Sequence, residues 1–220
     1  MPRHLSRLLT TAVFLSLAFS AAGSSPREQV LDDYKNGLAP GWKTKSFAGQ
    51  THYTVEHDDK QFSIKATSTA AASGLFYKIA YDPREQPIFR WSWKIERTLA
   101  KGDERTKAGD DYAARVYVVF PSVLFWKTRT LNYIWANKLP RGEALPNAFT
   151  ANAMMVAVES GNERAGQWLS EERNIYEDFK KYFKSEPPKV GAIAIMTDTD
   201  NTGGSATAWY GPIIIGKDNP

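Results

Sequence analysis

Short aromatic and β-branched runs recur along the chain between clusters of Gly, Pro, Asn and Asp, and most alternate apolar with polar positions. In 88–95, Phe89, Trp91, Trp93 and Ile95 fall on one side, and Arg90, Ser92 and Lys94 on the other. In 113–120, Ala114, Val116, Val118 and Phe120 oppose Ala113, Arg115, Tyr117 and Val119. A period of two is the repeat of a strand with one buried face. The same reading places strands at 42–47, 52–56, 61–67, 74–79, 153–159, 167–173, 190–197 and 206–215. Many short strands punctuated by turn residues predict a mainly β protein, a jelly-roll-type antiparallel β-sandwich.

One stretch changes period. Ile175, Phe179 and Phe183 recur at helical spacing, Asn174 with Glu177 forms a variant capping box, and Lys180, Lys181 and Lys184 sit where the helix dipole favours cations. Pro187-Pro188 ends this amphipathic helix, which is expected to lie across the sandwich and seal one end. Two stretches break the rhythm and are expected to be long loops. Residues 97–111 are polar, and residues 121–148 are aromatic enough to fold over the sandwich.

The N-terminus carries Arg3 and Arg7, an apolar run over 8–19, and then small residues up to Ser25. That order predicts a signal peptide over 1–23, cleaved after Ala22 or Gly23, leaving 24–220 as a single β-sandwich domain. The apolar run is shorter than the ~20 residues needed to span a bilayer, so the cleaved protein is not expected to span a membrane. Periplasmic or secreted localisation follows. The chain has no cysteine, which excludes a lipoprotein anchor, disulfides and thiol chemistry. Loss of the leader would bring the formal charge from +4 to +2, too little to point to nucleic acid, and no basic block stands out. Nothing in the pattern requires a second copy, so a monomer is expected.

Four segments carry a resemblance: Trp91-Ser-Trp-Lys94, the run from Ala108 through Gly109-Asp110-Asp111-Tyr112 to Phe120, Gln167 to Phe179, and Gly191 through Asp198-Thr-Asp-Asn-Thr202 to Gly203. In these the chain resembles a bacterial exported family of unknown function, domain of unknown function 3047, over nearly all of the expected mature protein. The resemblance implies export and a jelly-roll domain, and no activity. The family often has Gly-Asp where this chain has Gly211-Pro212, so one carboxylate of any shared site is missing.

Candidate chemistry lies in four places. If Val116, Val118 and Phe120 face the core, Asp111, Arg115 and Tyr117 share the other face. Arg115 would offer a planar donor fork and Tyr117 a stacking surface, unless Arg115 merely pairs across strands with Glu159 or Glu171. Asp198 and Asp200 open a calcium-like loop, but its twelfth position is Trp209 rather than Glu, so an EF-hand is ruled out. A looser calcium site that adds Asp110-Asp111 competes with plain turn chemistry, and no other cofactor is implied. Glu159 and Glu171 are candidates for an acid and a base, while Arg173 suits either ligand contact or a tie to Asp178. In the aromatic stretch, Trp126 and Trp135 are candidates for covering a ligand, and Tyr133 is expected in a secondary core.

No nucleophile elbow, phosphate loop or dinucleotide fingerprint occurs. The leading expectation is an exported carbohydrate-binding-like domain taking a small-molecule or glycan ligand against Arg115 and Tyr117. The alternatives are a hydrolase or lyase acting on an envelope polysaccharide and a structural envelope protein that docks a protein partner.

Overall fold

The structure is a computed structural model describing residues 28–59 and 61–217. The expected signal peptide, 1–23, lies outside the described residues. Thirteen strands and one α-helix make up the described fold: β1 (Glu28–Asp32), β2 (Trp42–Ala48), β3 (His52–His57), β4 (Phe62–Thr69), β5 (Ala72–Tyr81), β6 (Ile88–Ile95), β7 (Arg115–Phe120), β8 (Arg129–Ala136), β9 (Ala144–Asn147), β10 (Thr150–Ser160), β11 (Leu169–Asn174), α1 (Ile175–Phe183), β12 (Val190–Asp198) and β13 (Ser205–Gly216).

One sheet runs β11-β6-β13-β4-β3, and β1 continues the row of β4 along the second half of β13; the other runs β2-β5-β12-β7-β8-β10-β9. β4, β6, β11 and β13 fall in the first sheet and β5, β7, β8 and β12 in the second, with β13 between β4 and β6 and β12 between β5 and β7. That interleaving is a jelly roll. The expected antiparallel pairing holds for every described strand pair except β8–β10, which is parallel.

Parity places the core as anticipated. Phe89, Trp91, Trp93 and Ile95 of β6 meet Val116, Val118 and Phe120 of β7 in one buried cluster between the sheets. α1 takes its N-cap from Asn174, whose Oδ1 accepts the Glu177 N–H at 3.0 Å, and ends on Lys184 in a left-handed conformation. It seals one end of the sandwich by seating Phe179 on Phe120, with ring centroids 4.5 Å apart. Asp178 then ties it to both sheets, accepting two bonds from Arg173 of β11 at 2.6 and 2.8 Å and one from the Tyr133 hydroxyl of β8 at 2.8 Å.

The stretch expected as one long aromatic loop, 121–148, instead contains β8 and β9. Leu131, Tyr133 and Trp135 of β8 join the core. On the reverse face, Ile134 and Ala136 pack under Tyr112, Leu139 and Met155 in a smaller cluster. With both faces apolar at its far end, β8 loses the clean alternation that marks a half-exposed strand.

Candidate functional site

β7 and β12 lie side by side, so Arg115 pairs with Met196 and Tyr117 with Ala194, and β8 brings Asn132 opposite Tyr117. These side chains stand on the outer face of the seven-stranded sheet and floor a cavity of about 590 Å³. Phe47 of β2 and Phe149, in the turn between β9 and β10, line it as well, each more than half exposed. Asp110, Asn147, Asp198, Asp200 and Asn201 close the end at which β7 begins and β12 finishes.

Arg115 is buried and ion-paired to Asp198. Its guanidinium lies between two rings, 4.7 Å from the centroid of Tyr112 and 5.6 Å from that of Tyr117. Burial opposes its charge most strongly of any single cause, but Asp198, Tyr117, Asp110 and Tyr112 together outweigh it and the guanidinium holds its proton more tightly than usual. Burial, with the nearby charges of Asp111 and Asp110, pushes Asp198 up, and the Arg115 guanidinium pulls the other way. Arg115 is therefore the fixed cation of the floor, and Asp198 is its partner rather than the expected Glu159 or Glu171.

Two polar atoms of this floor are buried without a hydrogen-bond partner among the described residues, Arg115 Nε and Asn132 Oδ1. A buried polar atom left unpaired costs about 1–3 kcal/mol. Among the described residues the Asn132 amide NH2 meets the Met155 sulfur, at 3.2 Å, and the Tyr117 hydroxyl lies 3.4 Å from the Met196 sulfur.

The Gly-Asp-Asp-Tyr string supports one wall and lines the cavity through Asp110; Asp111, expected against the ligand, does not line it. A Cβ on Gly109 would come within 2.5 Å of the Asp103 backbone nitrogen, so the close chain approach there needs glycine. Asp110 accepts from the Tyr112 hydroxyl at 3.0 Å and from Asn147 Nδ2 at 2.8 and 2.9 Å. Asp111 reaches across to the turn after β12, accepting the Asn201 N–H at 3.2 Å and the Thr202 N–H at 2.6 Å. Carboxylate oxygens of Asp111, Asp198 and Asp200 lie within 4.8 Å of one another, an all-oxygen set of the kind calcium takes. Backbone donors of the turn already engage Asp111, and the Arg115 guanidinium engages Asp198, so these two carboxylates have partners within the chain. Burial and the Asp111 charge push Asp200 up.

The remaining expected site residues do not join this cavity. Trp135, expected over a ligand, is a core side chain whose indole N–H donates to the Gly161 carbonyl at 2.9 Å. Trp126 is exposed, on the turn between β7 and β8. Arg173 is held by Asp178. Glu159 and Glu171 lie close enough for their charges to interact, and Glu171, with Arg141 and Arg173, lines a separate cavity of about 180 Å³ that Glu159 does not line. Glu159 is buried against Arg164 at 2.6 Å and Arg141 at 3.5 Å. Burial, and then the Glu159 charge, push Glu171 up to about 7. Asn132, Phe47 and Phe149 were missed from sequence. Parity on β8 would set Asn132 opposite the core, but a strand with apolar residues on both faces carries no clean alternation, and only the β7–β8 register brings Asn132 to Tyr117.

The profile of a family described as a protein of unknown function, DUF3047, matches residues 40–214. No protein of curated function matches the chain in sequence. Among solved structures, the K2 cleaved adhesin domain of Lys-gingipain aligns with a TM-score of 0.46 at 8% identity, covering 86% of this chain and 98% of that one. A carbohydrate-binding module from the β-sandwich superfamily aligns with a TM-score of 0.47 at 10% identity, over 86% of this chain and 62% of that one. The K1 cleaved adhesin domain of Lys-gingipain from Porphyromonas gingivalis W83 aligns with a TM-score of 0.41 at 14% identity, over 87% and 99%.

Proposed function

The chain belongs to the family of proteins of unknown function DUF3047, and on that premise we propose that it is an exported ligand-binding domain, periplasmic or secreted. Its ligand is carbohydrate-like and sits in the cavity floored by Arg115, Tyr117 and Asn132. The observation that carries this reading is the lining of the cavity, where the fixed Arg115 guanidinium, the Tyr117 hydroxyl and the Asn132 amide lie below two exposed phenyl rings. Sugar hydroxyls both donate and accept and so suit a polar lining of this kind. Sugars add to this a flat apolar ring face, which suits Phe47 and Phe149 at the cavity rim.

A glycan array run together with a reducing-end assay on one preparation tests the reading, with binding and no turnover expected. Phe149→Ala should lower affinity about tenfold, the loss of roughly 1.4 kcal/mol of stacking. Because Phe149 is exposed, its thermal midpoint should stay within about 1 °C of the parent. Unchanged binding in Phe149→Ala and Phe47→Ala, or no binding by the parent, would overturn the assignment.

A hydrolase or lyase remains the second reading because one observation favours it. Glu171, pushed up to about 7 next to Glu159, has the protonation a general acid requires. Turnover that is lost in Glu171→Gln and kept in Asp178→Asn would replace binding with catalysis.

A further inference from the structure

The turn between β7 and β8 turns its apolar side chains outward. Val123 is 103% exposed, Leu124 41%, Phe125 78% and Trp126 58%. This is not a slack loop, because its backbone bonds are made. Lys127 N–H donates to the Leu124 carbonyl at 2.8 Å, Thr128 N–H to the Phe125 carbonyl at 3.0 Å, and Asn152 Nδ2 to the Trp126 carbonyl at 2.7 Å. Four consecutive exposed apolar side chains on a built turn are costly in water and mark an interaction site.

Cations stand directly behind the tip. Lys127 and Arg129 follow it, and Arg129 reaches α1, bonding Ser185 at 2.7 Å and lying 5.1 Å over the Phe183 ring. α1 therefore shares this end of the sandwich, and its Lys181 and Lys184 are exposed there. Glu177 and Glu186 are the opposing charges on this face; Glu186 is 3.6 Å from Lys180 and 3.8 Å from Arg84. The described chain also enters at this end. Glu28 pairs with Gly216, Gly216 with Ile88, and Ile88 with Asn174, which opens α1.

We propose that this turn is a membrane-docking finger: Val123, Leu124, Phe125 and Trp126 enter the headgroup–acyl boundary of an anionic bilayer, while Lys127, Arg129, Lys181 and Lys184 meet its phosphates. An apolar tip of four exposed side chains fits a fluid boundary that closes around it. Trp and Phe are favoured at that depth, and flanking lysines add attraction to anionic lipid. The described residues include no helix long and apolar enough to cross a membrane, so the attachment is peripheral.

Co-sedimentation of the purified chain with two kinds of vesicle tests this, phosphatidylcholine alone and phosphatidylcholine mixed with phosphatidylglycerol. Sedimentation is expected with the anionic vesicles and should weaken as salt is raised. Phe125→Ser/Trp126→Ser, whose side chains leave the core untouched, should reduce it about tenfold or more with an unchanged thermal midpoint. Brominated acyl chains should quench a part of the tryptophan emission that Trp126→Phe removes while sedimentation is kept. Equal sedimentation of parent and double variant, or none of the parent with either vesicle, overturns the proposal. So does concentration-dependent self-association that the double variant abolishes, which would reassign the finger to a protein contact.

Discussion

At the scale of single residues, charge here is decided by what burial puts next to it. Asp178 and Glu171 lie seven positions apart, yet Asp178 receives three donors and Glu171 receives one, the Trp93 indole N–H at 3.3 Å. Burial and Glu159 push Glu171 from 4.5 up to about 7. Between those values the fold keeps a proton that the unfolded chain has lost, so stability falls as pH rises through the window, and the cost is complete above it. Glu171→Gln keeps an acceptor for Trp93 and carries no charge. It should match the parent's thermal midpoint near about pH 4 and exceed it near about pH 8, as thermal melts at both values would show. The polar floor was partly legible because parity alone sets Arg115 and Tyr117 opposite the core. The partner of Arg115 was not, since Asp198 is 83 positions away and alternation names a face without naming a neighbour.

At the scale of elements, the ten strands and the helix expected from periodicity are all present, and the misses share a cause. β1 is short and edge-like, β9 contains Pro146, and β8 has apolar residues on both faces, so none offers a clean period of two. The 97–111 stretch reads as a polar loop, and a buried carboxylate that no spacing marks helps to fix its position, together with the Asn137 side chain. Glu104 is buried and accepts the backbone N–H groups of Asn137, Lys138 and Leu139 at 2.5, 3.2 and 2.9 Å. This clamps the loop before β7 onto the turn after β8, and so supports the Gly109–Tyr112 wall of the cavity. Glu104→Ala strips one buried backbone donor, that of Leu139, and two part-buried ones of their acceptor, and should lower the unfolding free energy by about 2 kcal/mol in urea titration. A loss below about 1 kcal/mol would show that water replaces the clamp.

At the scale of the molecule, both sheets feed one core cluster, so the described fold should unfold as a single unit. Circular dichroism and tryptophan fluorescence are expected to give coincident urea transitions, and two separated transitions would contradict a single domain. The sandwich keeps its functional candidates apart, with the Arg115 cavity on an outer sheet face, the Glu171 cavity at a sheet edge and the apolar finger at the end beside α1. The positions of ten of the thirteen described strands, the buried faces of β6 and β7, the helix with its Asn174 cap and the exclusion of thiol chemistry follow from the amino-acid order, because period, capping and composition are local properties. Which strands lie side by side is not local. The register of β7 against β12 joins Arg115 to Asp198, and the Gly-Asp-Asp-Tyr and Asp-Thr-Asp-Asn-Thr strings meet at one end of a cavity. The same packing draws Trp135 into the core and leaves Trp126 outside, although both come from one aromatic stretch. Alternation tells each side chain which way to point, and only the packed sheets decide what it meets there.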